Sequence, residues 1–288
     1  MASWQMRGVA VFTRLAYRRK FGTEAAGHRT LARAKGPSAP PSALTRRFDV
    51  TRDSVQGFDV YRVRSRPADD KPVVIYLHGG AYTSEIVAEH WSLIGHIADR
   101  TGYEVHVPIY GLSPHHTGLQ ALELVTGIVR DLARAGRRCY LAGDSAGGGL
   151  ALLAAQATPG DVAGLTLLAP WLDLTMSNPG IDAIEPYDPW LARPGLRPLA
   201  AAWAGGLALD DPRLSPIYGD LDHLPPLQVL VGTRDITLAD CRTLRDRLPA
   251  RVPLTYHEEP GALHVYPLLP VPEAKAGRRA IVEHIRGR

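Results

Sequence analysis

From residue 73 onward, short runs of uninterrupted apolar residues alternate with longer stretches whose apolar positions recur three and four residues apart. The runs over 73–77, 103–108, 138–142, 164–168, 227–231 and 252–257 have strand length and predict strands buried on both faces. The periodic stretches over 88–99, 118–134, 148–157, 240–248 and 274–286 predict helices. That rhythm predicts an α/β fold, with a mostly parallel central sheet flanked by helices. Ahead of it, 45–51 and 58–64 predict an antiparallel hairpin around the Gly57 turn. Residues 3–20 predict an amphipathic helix, with Trp4, Arg7, Val11, Phe12 and Leu15 at loosely helical spacing. Its apolar side is expected to pack over the domain's own surface rather than on a membrane. Gly36-Pro37-Ser38-Ala39-Pro40-Pro41 breaks the chain into a loop. Between Pro170 and Pro226 the alternation stops; this Pro-, Gly- and Asp-rich insertion, with a helix around 196–203, is expected to form a lid.

Composition narrows the picture only modestly. At 288 residues, 45% hydrophobic and 22% charged, the chain suits one large globular domain, taken here as 1–288. A net charge of +4 comes from scattered arginines. No aromatic-plus-basic motif accompanies them, so no nucleic-acid partner is expected. Cys139 and Cys241 make neither a disulfide framework nor a metal knuckle, and Cys139 falls in a predicted buried strand. The first residues lack a sustained apolar core and cleavage site, and no run nears the ~20 apolar residues of a membrane span. A cytoplasmic location without stable membrane insertion is therefore expected. An exposed edge strand leaves a homodimer open.

The chemistry concentrates at Gly143-Asp144-Ser145-Ala146-Gly147, which fits Gly-x-Ser-x-Gly between a predicted strand and a predicted helix. Such a turn lifts a serine hydroxyl out of the sheet at a helix N-terminus, and the flanking glycines leave room for neighbouring backbone. Ser145 is thus the candidate nucleophile. His78-Gly79-Gly80-Ala81 follows an earlier strand and is a candidate oxyanion loop, with Ala146 as another amide donor. His78 is expected to brace that loop rather than act as a base. A serine hydroxyl needs a base, and the base an orienting acid, arranged in α/β-hydrolases in the order Ser, Asp/Glu, His. Asp235 follows the strand over 227–231, where ligand chemistry collects in open sheets. Asp240, the rival acid, starts the next helix and reads better as a brace. His264 lies in the loop beyond the last strand, whereas His257 and His284 fall within elements; His115 and His116 precede the serine and make no metal spacing.

Together these residues resemble the hormone-sensitive lipase-like family of bacterial α/β-hydrolase esterases, over roughly residues 70–285. The resemblance extends to Pro170-Trp171-Leu172-Asp173-Leu174-Thr175, Asp188-Pro189, Asp211-Pro212-Arg213-Leu214-Ser215-Pro216 and Gly261-Ala262-Leu263-His264-Val265. It implies Ser145, Asp235 and His264 as the catalytic positions, the amides of Gly79, Gly80 and Ala146 as the oxyanion hole, and a cap from about 1–40 and 178–212. Two departures stand out. Ala81 replaces a third glycine, and Tyr110-Gly111-Leu112-Ser113-Pro114-His115-His116 lacks the family's structural Arg–Glu pair, which puts the rigidity of that loop in question. The implied activity is hydrolysis of carboxylic esters, of short acyl chains or small molecules, without metal or cofactor. A lactone or amide substrate, or a non-catalytic ligand-binding role, stays open. Tyr82, Tyr187, Trp190 and Trp203 are candidates to line the substrate pocket, or simply to pack the cap.

Overall fold

The computed structural model describes residues 2–65 and 72–287, so Met1, residues 66–71 and Arg288 of the expected 1–288 domain lie outside the described residues. In chain order the elements are α1 (Trp4–Ala16), α2 (Arg18–Phe21), α3 (Glu24–Leu31), α4 (Ser42–Thr45), β1 (Asp49–Val55) and β2 (Phe58–Arg64). Next come β3 (Val73–Leu77), α5 (Ala88–Thr101), β4 (Glu104–Pro108), α6 (Gly118–Arg134), β5 (Cys139–Asp144), α7 (Ala146–Ala157) and β6 (Val162–Leu168). The remainder is α8 (Ile181–Ile184), α9 (Arg193–Ala204), β7 (Leu227–Gly232), α10 (Leu238–Arg247), β8 (Leu254–Glu259) and α11 (Pro272–Arg286).

The strands form one sheet in the order β1-β2-β4-β3-β5-β6-β7-β8. β1 and β2 pair antiparallel, as does β2 with β4; every later pairing is parallel. The continuous apolar runs explain the centre, since every residue of β3, β4, β5 and β7 is buried and helices cover both faces. Register brings Leu77 opposite Gly143 and Asp144 opposite Leu168. The C-terminal ends of β3, β5 and β6 therefore meet at one edge, where open α/β sheets hold their ligands.

Two expectations near the N-terminus need correction. The hairpin around Gly57 forms, but its first strand is shifted from the expected 45–51: after Pro41 the chain makes the single helical turn α4, and β1 runs Asp49–Val55. β1 lies at the sheet edge with most side chains exposed, so alternation there carries little signal. The second correction concerns α1. Its buried side chains are Met6, Ala10 and Thr13, while Trp4, Val11, Phe12 and Leu15 are exposed. The apolar stripe expected to pack inward faces outward instead, and the opposite side makes the contact through Met6, Ala10 and Thr13.

α3 runs against α9, and the approach is backbone-close. A side chain at Gly27 would sit 2.3 Å from the Gly195 carbonyl oxygen, and one at Gly195 would sit 2.3 Å from Phe21 Cα. Arg18 of α2 ties the same regions together, donating to the carbonyls of Asp188, Leu191 and Glu185. Among the described residues no helix is long and apolar enough to cross a membrane. Cys139 and Cys241 are both buried free thiols.

Candidate active site

Ser145 stands between the end of β5 and the first turn of α7, with φ 52° and ψ −121°. A non-glycine residue adopts that backbone only when its surroundings over-determine it. Three hydrogen bonds do so: Ser145 N–H donates to Leu168 O (2.8 Å), and Ser145 O accepts from Gly149 (3.1 Å) and Trp171 (2.9 Å). The flanking glycines are needed for space. A Cβ on Gly143 would lie 2.4 Å from Gly147 O, and one on Gly147 would lie 2.1 Å from Leu77 O. Both obstacles are backbone and cannot swing aside. Gly147→Ala is therefore expected to lower stability by about 2–4 kcal/mol, as forced overpacking with backbone displacement does. A urea titration checks this; an unchanged midpoint would mean the elbow relaxes freely.

The loops after β7 and β8 bring the predicted partners to this serine. His264 Nε2 lies 2.9 Å from Ser145 Oγ, and His264 Nδ1 lies 2.7 Å from Asp235 Oδ2. The other Asp235 oxygen accepts from Thr237 N–H at 3.0 Å. Arg234 N–H donates to Ala262 O and Gly261 N–H to Thr233 Oγ1, so the two loops are laced to each other. Asp235 is fully buried and His264 nearly so. Burial opposes charging His264, but the Asp235 carboxylate and its hydrogen bond, with the charges of Asp188 and Asp144, outweigh burial and raise the imidazole above the ordinary histidine range. Asp240 lines the same cavity but accepts from Asn178 Nδ2 at 2.8 Å rather than from His264, which suits a brace.

A second carboxylate joins the site that the sequence did not single out. Asp188 is buried and accepts from the amides of Trp190 (2.7 Å), Leu191 (2.9 Å) and Ile236 (3.0 Å). It thereby fastens the segment before α9 to the residue after Asp235. Burial, then the charge of Asp235, pushes its carboxyl up to about 6. Trp190 packs edge-on to His264 with ring centres 5.7 Å apart. Asp188-Pro189 was visible as a family-like string, yet nothing local tied it to Asp235.

The glycine loop differs from expectation in one amide. Gly79 N–H donates to Asp144 Oδ1 at 3.0 Å, so it is not a free oxyanion donor. The cause is Asp144, buried beside the serine, which also accepts from Tyr76 (2.7 Å) and contacts His90 Nε2 (3.2 Å). Burial opposes its charge, yet His90 and these hydrogen bonds hold its carboxyl below the ordinary aspartate range. The amides of Gly80, Ala81 and Ala146 make no hydrogen bond among the described residues. Ala81, with φ 52°, keeps the turn that a third glycine would make. His78 is fully buried, donates from Nδ1 to Gly79 O (2.7 Å) and stacks on Tyr110; burial and His90 lower it to about 4. It braces the loop in neutral form. Tyr110 completes the brace, donating to His78 O at 2.5 Å. Where the family's arginine is missing, the His116 ring fills the space: a Cβ on Gly111 would meet it at 2.2 Å. That ring packs on Phe58, and Ser113 N–H donates to Tyr82 O, so the loop stays anchored without the Arg–Glu pair.

A cavity of about 880 Å³ opens onto Ser145 and His264, walled largely by apolar groups including Trp171, Met176, Trp190 and Leu191. Of the four candidate pocket aromatics, only Trp190 lines it. Tyr82 and Trp203 are fully buried, stacked face to face at 4.0 Å, and serve packing. Tyr187 is exposed to solvent away from the wall.

Known proteins resemble this chain in sequence and fold. The alpha/beta hydrolase fold family matches residues 74–268. An acetyl-hydrolase of Streptomyces hygroscopicus is 34% identical over 230 residues, 75% of each chain. An esterase of Acinetobacter venetianus is 30% identical over 183 residues, 61% of this chain and 60% of its own length. A solved esterase from the bacterial hormone-sensitive lipase family superposes with a TM-score of 0.81 at 27% identity, covering 100% of this chain and 99% of that one. The chain thus belongs to the alpha/beta hydrolase fold family, as a carboxylic ester hydrolase of its hormone-sensitive-lipase-like group.

Proposed function

We propose that the protein hydrolyses small carboxylic esters with short acyl chains through an acyl-enzyme on Ser145. The observation that carries this reading is the unbroken hydrogen-bonded line from Ser145 Oγ through His264 to Asp235, opening on an apolar cavity. Ser145 Oγ adds to the ester carbonyl while His264 Nε2 takes its proton. The carbonyl oxygen gains negative charge, and the amides of Gly80, Ala81 and Ala146 are the donors assigned to it. Collapse breaks the bond to the alkoxy oxygen, which leaves as the alcohol with the proton from His264. Water then attacks the acyl-enzyme by the same route and releases the acid. Asp235 keeps Nδ1 protonated, so that Nε2 is free to accept, and it supports the imidazolium.

One domain with a cap from about 1–40 and 178–212 fits the close packing of α3 on α9 and the presence of both segments in the cavity wall. Trp190 places a bulky ring against His264 and Trp171 adds to the wall of the same cavity, which favours a short acyl chain there and leaves the wider cavity to the alcohol part. The acetyl-hydrolase name of the Streptomyces relative points the same way. Hydrolysis of p-nitrophenyl esters from acetyl to dodecanoyl tests this. Turnover is expected to be greatest at two to four carbons and to drop at least about tenfold by dodecanoyl, since steric exclusion of a few methylenes is worth that much. A rate that climbs with chain length would overturn the short-chain assignment, and silence across the series in folded protein would overturn the esterase mechanism itself.

A further inference from the structure

The face of α1 that points away from the protein is its apolar one. Trp4, Val11, Phe12 and Leu15 are between 62% and 73% exposed. At about 100° per residue they fall, with Gly8, within roughly 100° of arc on one side of the helix. Single exposed apolar side chains are ordinary, but four aligned along a helix make a patch. Arg7 and Arg14 run along one flank of the stripe and Arg19 follows the helix; all three are exposed, and none makes an ion pair among the described residues. α1 contains no acidic residue. Phe12 also belongs to the wall of the cavity that holds Ser145, together with Val9, Thr13 and Tyr17. The patch therefore borders the cavity.

We propose that α1 docks the protein on an anionic lipid surface. Trp4, Val11, Leu15 and the outer side of Phe12 enter the boundary between headgroups and acyl chains, and Arg7 and Arg14 meet the phosphates. The charge pattern selects this occupant. A second copy would bring the same arginines together around a two-fold axis, whereas anionic headgroups neutralise them. Docked this way, the Phe12 wall of the cavity turns toward the interface, so an ester dissolved in lipid enters near Ser145. That consequence rests on the esterase mechanism proposed above; the docking does not, because it is read as binding.

Cosedimentation with phosphatidylglycerol vesicles and, separately, phosphatidylcholine vesicles tests it. The wild-type protein is expected to partition at least about tenfold more strongly onto phosphatidylglycerol, with binding falling as salt rises to about 0.5 M. Val11→Asp with Leu15→Asp is expected to lose about tenfold or more of that binding, and Arg7→Gln with Arg14→Gln about tenfold of the anionic preference. Both variants should hydrolyse a water-soluble p-nitrophenyl ester at the wild-type rate. Absence of binding to either vesicle, or undiminished binding by the Val11→Asp, Leu15→Asp protein, overturns the proposal. So does a concentration-dependent dimer in sedimentation equilibrium that this variant dissolves, which would assign the face to a second copy.

Discussion

Replacing Ser145 with alanine is expected to lower kcat/KM for p-nitrophenyl acetate by about four orders of magnitude or more, leaving only the catalysis that oxyanion donors and binding supply. The size of the effect follows from the absence of a substitute. Ser145 Oγ is the hydroxyl in contact with His264 Nε2, and among the described residues no other hydroxyl or thiol is hydrogen-bonded to that nitrogen. The fold should tolerate the change. Alanine inherits the same φ of 52°, and the bonds that hold the turn run through the Ser145 backbone, not its side chain. Steady-state kinetics on protein with an unshifted melting temperature, together with mass spectrometry after an active-ester pulse, separates chemistry from stability. The wild-type chain should carry an acyl adduct on Ser145 and the variant none. A variant within about tenfold of wild type would remove Ser145 from the mechanism.

Much of this site was legible because its parts lie where chain pattern and chemistry coincide. β3, β5 and β7 are buried on both faces, so their apolar runs mark them, and Ser145, Asp235 and His264 each follow a strand in the expected order. The misses have physical causes. A run of glycines says that backbone must approach something, yet not which amide is free; Gly79 is claimed by Asp144, a carboxylate hidden in the motif's variable position. Tyr82 and Trp203 satisfy any composition rule for a pocket, but rings that stack face to face in a core have the same composition. On α1, periodicity revealed two faces without saying what covers either. Met6, Ala10 and Thr13 make the inner contact, while Trp4, Val11, Phe12 and Leu15 are left outside. His90 and Asp188 reach the site from distant elements, and such contacts leave no trace in local spacing.

Asp235→Asn is expected to lower kcat by about three to four orders of magnitude while preserving the geometry, because an amide facing Nδ1 favours the tautomer whose Nε2 carries the proton and cannot take one from Ser145. Asp188 does not rescue the variant. Its oxygens already accept from the amides of Trp190, Leu191 and Ile236, so it contributes field but cannot orient the ring. The pH dependence should change with the rate. In the wild-type protein Asp235 holds His264 above its ordinary value of ~6.5 against the opposing effect of burial, so the acid limb of kcat/KM lies above that value. With the carboxylate gone, burial is opposed by the charges of Asp188 and Asp144 alone, and the limb should move down. Stability should respond with the matching sign. A histidine raised in the folded state contributes stability that is present below its unfolded value and lost as pH rises through its folded one. Asp188, pushed up to about 6 partly by the charge of Asp235, is ionised at alkaline pH and then repels it. Both effects make the loss of melting temperature in Asp235→Asn larger at pH 5.5 than at pH 9. An acid limb that stays in place, or a loss that grows toward pH 9, would mean that something other than Asp235 sets the charge and orientation of His264.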